Sequence, residues 1–156
     1  TEMLKTRTGL AVEHIGYKGS APISADLLGG HLPLATDNLN SQLNNIRSGK
    51  VKPIVMLSSR RDSAAPEVPS LSDFGITNFE GGGWYGIIAP ARTPAPIVAR
   101  LNAEIAKILQ LPEVRERILS LGLEIVGGTL EEFNLHLTTE TRKWSEVMRA
   151  GNIKAD

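Results

Sequence analysis

His14-Ile15-Gly16-Tyr17-Lys18-Gly19-Ser20-Ala21-Pro22 joins a short β-rich run, Ala11 to Ile15, to the start of a helix. Gly16 to Gly19 reads as a flexible turn. Ser20 is a good N-cap, because its hydroxyl can accept from a free amide of the first turn, and Pro22 is tolerated there because those amides have no helical partner. Ile23, Leu27 and Leu28 form an apolar stripe that Gly29-Gly30 stops. The same order then repeats. Leu32 to Thr36 reads as a strand despite Pro33, Asp37-Asn38 as the loop after it, and Asn40 to Arg47 as a short helix ending at Gly49. Strand, loop and helix in succession predict an α/β fold with mainly parallel pairing.

Upstream, Thr1 to Thr8 reads as the last turns of a helix stopped at Gly9, which sets the expectation that more chain precedes it. Downstream, Val51 to Leu57 is a third apolar run, Ser58 to Ser70 a structured surface loop with Pro66 and Pro69, and Leu71 to Phe74 a single helical turn. Gly81-Gly82-Gly83 marks a hinge or domain crossing, and Trp84 to Pro90 reads as a buried strand. Thr93 as N-cap and Pro94 at the first position open a helix with Ile97, Val98, Leu101, Ile105, Ile108 and Leu109 on one face. Pro112 opens another with Val114, Ile118 and Leu121 inward, ending at Gly122 before the strand-like Leu123 to Val126. Thr129-Leu130-Glu131-Glu132 is a capping box. It starts a last helix running to about Ala150, with Phe133, Leu137, Trp144, Val147 and Met148 as its stripe and Gly151 as its stop.

The chain has 156 residues, 41% of them apolar, enough to bury a core of about one domain. Seventeen basic residues balance seventeen acidic ones, so no broad field exists to hold nucleic acid or an anionic membrane. No apolar stretch approaches a membrane span, and the N-terminus lacks the order of a signal peptide. The absence of cysteine excludes disulfides and thiolate metal sites and suits either redox compartment.

Tyr17-Lys18-Gly19-Ser20-Ala21-Pro22 is the best candidate for chemistry. Unpaired amides and the positive dipole end of a helix start attract a carboxylate without a basic side chain, and Gly19 lets the backbone approach closely. The same residues equally serve to turn a strand into a capped helix. Asp37-Asn38 would open at the same carboxyl edge of a parallel sheet, where ligands of open α/β sheets bind, although such a pair is also an ordinary cap or Asx-turn. Trp84 and Tyr85 read either as an aromatic wall at the hinge or as core. The glycines at 81 to 83 do not have dinucleotide or P-loop spacing. His14, His31 and His136 lie far apart with no metal-ligand spacing, and no GxSxG elbow or ordered triad marks a serine as a nucleophile. No metal, cofactor or catalytic residue is expected. Arg60-Arg61-Asp62 reads first as solvated surface, with a contact to a membrane transporter as the alternative.

Taken in order, these segments resemble the Bug-type extracytoplasmic receptors of tripartite tricarboxylate transporters (TctC-like). His14 to Pro22 is similar to the family's HVPYKGSAP segment, and Asp26-Leu27-Leu28-Gly29-Gly30 and Asp37-Asn38-Leu39 are similar to the stretches next along the family's chain. Ile46 to Lys50, Pro66 to Ser70, Trp84-Tyr85-Gly86, Ala89-Pro90 and Thr129 to Phe133 extend the likeness over nearly the whole chain. Gly16 stands where proline is usual, which frees the loop entry.

The resemblance implies a two-lobed, type II periplasmic-binding-protein-like (Venus flytrap) receptor without catalytic activity, in the periplasm, closing on a small organic carboxylate and delivering it to membrane transporter subunits. Carried over, Tyr17, Lys18, Gly19, Ser20, Ala21 and Pro22 form the carboxylate loop of the second lobe, Asp37 and Asn38 its neighbour, and Trp84 lies near the return crossing. Residues 1–83 then make most of the second lobe and 84–156 return to a first lobe whose N-terminal part is absent. On that account the strands at Trp84 to Pro90 and Leu123 to Val126 keep bare edges, open to self-association. An effector-sensing domain of a regulator on the same plan, and an α/β hydrolytic enzyme using Asp37 with a serine, are the rival readings.

Overall fold

In the computed structural model, residues 1–151 and 153 are described, and among them the regular elements are six α-helices and one 3-10 turn. The helices are α1 (Glu2–Thr8), α2 (Ser20–Leu28), α3 (Leu39–Arg47), α4 (Ala95–Ile108), α5 (Pro112–Ser120) and α6 (Leu130–Ala150). The turn covers Leu71–Phe74.

Helix ends follow local chemistry. Gly9 takes a left-handed conformation (φ 71°) and its N–H closes α1 on the carbonyl of Lys5. At α6, Glu132 N–H donates to Thr129 Oγ1 over 3.1 Å while Thr129 N–H donates to Glu132 Oε2 over 2.7 Å, the reciprocal pairing its sequence predicts. Two starts are displaced by one residue. Gly19, not Ser20, is the N-cap of α2, because only a glycine tolerates its φ of 99°, and Pro94, not Thr93, caps α4.

None of the five stretches expected as strands forms a ladder among the described residues. The nearest approach is a single parallel bridge between Met56 and Ser70. Met56 N–H donates to Pro69 O and Leu71 N–H to Met56 O, and on the other side Gly81 N–H donates to Leu57 O. A strand needs a partner along its whole length, and Pro33 and Pro53 each remove a donor from one of the expected runs.

The chain divides into two compact units. One comprises, of the described residues, 1–15, 88–111 and those from 126 onward, and contains α1, α4 and α6, with α1 packed on α6. Its apolar stripes are only half covered: Ile97, Leu101 and Ile108 stay exposed, and none of its described residues is fully buried. The other unit comprises 16–87 and 112–125 and holds the core, Leu43, Ala65, Val68, Leu71 and Phe79. Gly122 closes against it, with the space a β-carbon would need lying 3.1 Å from Leu43 Cδ2. The loop from Ser58 to Ser70 contributes Ala65 and Val68 to this core, and Arg60 and Arg61 are exposed, as expected of solvated surface, while each forms an ion pair. Arg61 Nε donates to Asp73 Oδ2, which also accepts from Ser70 N–H, while Arg60 pairs with Glu124.

Candidate functional site

The start of α2 has no side-chain cap. By helical geometry the N–H groups of Gly19, Ser20 and Ala21 find no partner inside the helix, and Pro22 has none to offer. Free donors at the positive end of a helix dipole suit a carboxylate. The side chains around them are turned to other tasks. Tyr17, half-buried, donates its hydroxyl to Asp26 Oδ2 over 2.7 Å, and His31 Nδ1 lies 3.2 Å from the other oxygen of the same carboxylate. The Tyr17 hydrogen bond first, and then that with His31, hold the Asp26 carboxyl below its usual range, and the same bond raises the Tyr17 phenol. Lys18, Ala21 and Pro22 are exposed.

Ser20 reaches the second loop. Its Oγ donates to Asp37 Oδ1 over 2.6 Å, and that oxygen also accepts from Asn38 N–H at 2.8 Å. Asp37 Oδ2 accepts from Gln42 Nε2 at 2.6 Å. The two loops singled out in the sequence are therefore hydrogen-bonded to each other.

A third segment joins them. Asn38, the N-cap of α3, lays its side chain against Gly83, where an added β-carbon would fall 2.7 Å from Asn38 Oδ1. Two residues further, the Tyr85 hydroxyl accepts from Asn40 Nδ2 at 3.4 Å. Trp84 lies between these contacts and is 43% exposed, an accessible aromatic and not core.

Gln42, Asn40 and Gly83 were not among the expected site residues. One signal for Gln42 was present: Leu39, Gln42, Leu43 and Ile46 keep the i, i+3, i+4, i+7 spacing of the inner face of α3, so a glutamine stands within an apolar stripe. Among the described residues no cluster of three or more His, Cys, Asp or Glu could hold a metal ion, and no helix is long and apolar enough to cross a membrane.

An uncapped helix start is thus hydrogen-bonded to a second loop after the next chain segment, and the backbone that holds the two is of the periplasmic-binding-protein class. The chain aligns with the periplasmic binding protein BugD at 30% identity and a TM-score of 0.83, covering 99% of this chain and 52% of that one. MatC from Rhodopseudomonas palustris with bound malate aligns at 30% identity and a TM-score of 0.77, covering 93% and 50%. Protein BugT of Bordetella pertussis is 34% identical over 154 residues, 99% of this chain and 47% of BugT. Residues 1–153 match the family described as the tripartite tricarboxylate transporter family receptor (TctC), and the chain belongs to that family.

The backbone therefore follows about half of a Venus-flytrap fold, and the chain spans about half the length of BugT. The family is one of receptors and not of enzymes.

Proposed function

We propose that this chain supplies one carboxylate-binding loop of a periplasmic receptor, which closes on a small organic acid and delivers it to the membrane subunits of a tripartite tricarboxylate transporter. The observation that carries this reading is the Ser20–Asp37 hydrogen bond. It holds the free amides of Gly19, Ser20 and Ala21 beside the Asp37-Asn38 loop, so that a helix start becomes one wall of a cleft instead of an isolated turn. Family membership and the malate bound to MatC support an acid as the ligand. In this reading Lys18, Pro22 and Trp84 border the ligand while Tyr17 braces the loop through Asp26. Residues 1–83 belong mostly to the second lobe and 84–156 to the return into the first.

The stretches at 84–90 and 123–126 support the further proposal of a partner outside these residues. Ile87, Ile88 and Val126 are 74%, 79% and 93% exposed, and such apolar segments without a ladder favour pairing with a second copy. Concentration-dependent sedimentation is the expected result, and a strictly monomeric chain would count against it.

The function is tested by a thermal-shift screen of organic acids including malate. A ligand that binds the native state alone raises the melting temperature. At least one acid should do so for the native sequence and none for the Gly19→Ala/Ser20→Ala double variant. A screen in which no acid shifts the native sequence, or in which the variant shifts equally, removes the proposal.

A further inference from the structure

We infer that Gln42 is the positioning residue of the carboxylate loop, an inference that rests on the function proposed above. Gln42 is a polar side chain only 6% exposed, and its hydrogen-bonding capacity is used on three partners. Nε2 donates to Asp37 Oδ2 at 2.6 Å and to Ser24 Oγ at 2.7 Å, and Oε1 accepts from Asn45 Nδ2 at 3.0 Å.

These bonds settle an ambiguity. An aspartate carboxylate is symmetric about its own axis, and either oxygen can meet a neighbouring hydroxyl. With Oδ2 held by the buried amide, Oδ1 is the oxygen left to receive Ser20 Oγ and Asn38 N–H. Ser20 is the first residue of α2, so the orientation of Asp37 sets where the amides of Gly19, Ser20 and Ala21 stand. Ser24 lies one turn along the same helix, and its bond to the same Nε2 gives α2 a second anchor on α3. Two attachment points fix a direction where one leaves a pivot. A buried amide with its partners in place is costly to disturb, because any partner lost is not replaced by water.

The test is nitrogen-15 relaxation on the 156-residue chain without ligand. Gln42→Met keeps the length and bulk of the side chain and removes both donors. The order parameters of Gly19, Ser20 and Ala21 should fall from the rigid range near about 0.85 to below about 0.6, with α6 unchanged. Gln42→Glu adds a readout that packing alone does not move. A protonated glutamic acid can donate to Asp37 and an ionised one repels it, so the loop should be rigid in mild acid and loose at neutral pH, a swing that the native glutamine lacks. Malate serves as the binding probe, its affinity falling about tenfold in Gln42→Met. Rigid amides at 19–21 in both variants overturn the inference. Failure of the function proposed above looks different: native amides that are rigid yet shifted by no carboxylate.

Discussion

The phenol of Tyr17 donates to Asp26 across nine residues of sequence, from the loop before α2 to its last turns. That bond fastens the loop to the helix it precedes, and its two ends respond to pH in opposite directions. The Asp26 carboxyl is depressed below the ordinary aspartate value of about 3.9, so its contribution is complete above that value and is lost as pH falls through the lower folded value. The Tyr17 phenol is raised above about 10, so its contribution holds below that value and disappears as pH climbs past the folded one. The brace is intact between these limits. Tyr17→Phe should move the Asp26 carboxyl back toward its ordinary value, as read by carbon-13 titration of the side-chain carboxyl; an unmoved Asp26 would show that the phenol does not hold it.

Gly83 lies hard against its neighbour. Alanine there would place a methyl 2.7 Å from Asn38 Oδ1, so the Asn38 amide, the movable end of that side chain, must turn aside, at a cost of about 0.5–1 kcal/mol. Urea unfolding of Gly83→Ala should show that loss, and the double variant with Asn38→Ala should recover most of it, because the clash needs both partners. Additive losses in the double variant would mean that the two positions do not meet.

Phe79 anchors the core of the unit that carries the site. It is 2% exposed, whereas Phe74 is 64% exposed. Phe79→Ala should cost about 3–5 kcal/mol and Phe74→Ala under about 0.5 kcal/mol, both measured by denaturant midpoint. Similar costs at the two positions would contradict the placement of the core.

The reciprocal cap of α6 is open to the same approach. Thr129→Ala removes the acceptor for Glu132 N–H and should cost about 1 kcal/mol, with helical signal lost from the start of α6. Thr129→Ser, which restores an acceptor at that place, should recover most of it.

The helices were legible because their signals are local. Gly9, Gly29, Pro112 and the Thr129–Glu132 pair each act within one turn, and the structure places helix ends within a residue or two of where they stand. Strands carry no such marks of their own. Val51 to Leu57 has the right residue types, yet only Met56 reaches a bridge, because pairing is decided by what lies alongside. The site divides in the same way. The glycine-serine loop and Asp37-Asn38 are recognisable as short strings, but the parallel sheet expected to open both at one edge does not form among the described residues, and their joining rests on the Ser20–Asp37 hydrogen bond. The Ser24 partner of Gln42 and the approach of Gly83 to Asn38 depend on residues brought together from 24 and 83 in the chain, and no window of sequence around position 42 or 38 contains them.

Pro22 leaves the opening of α2 one donor short of a full set. A carboxylate offers four lone pairs, and the turn can answer at most three of them. On the function proposed above, an acid seated there would carry its last acceptor site to water or to some group beyond this turn. On that same proposal, the N–H that the proline ring lacks thus sets the most that this turn alone can offer a guest.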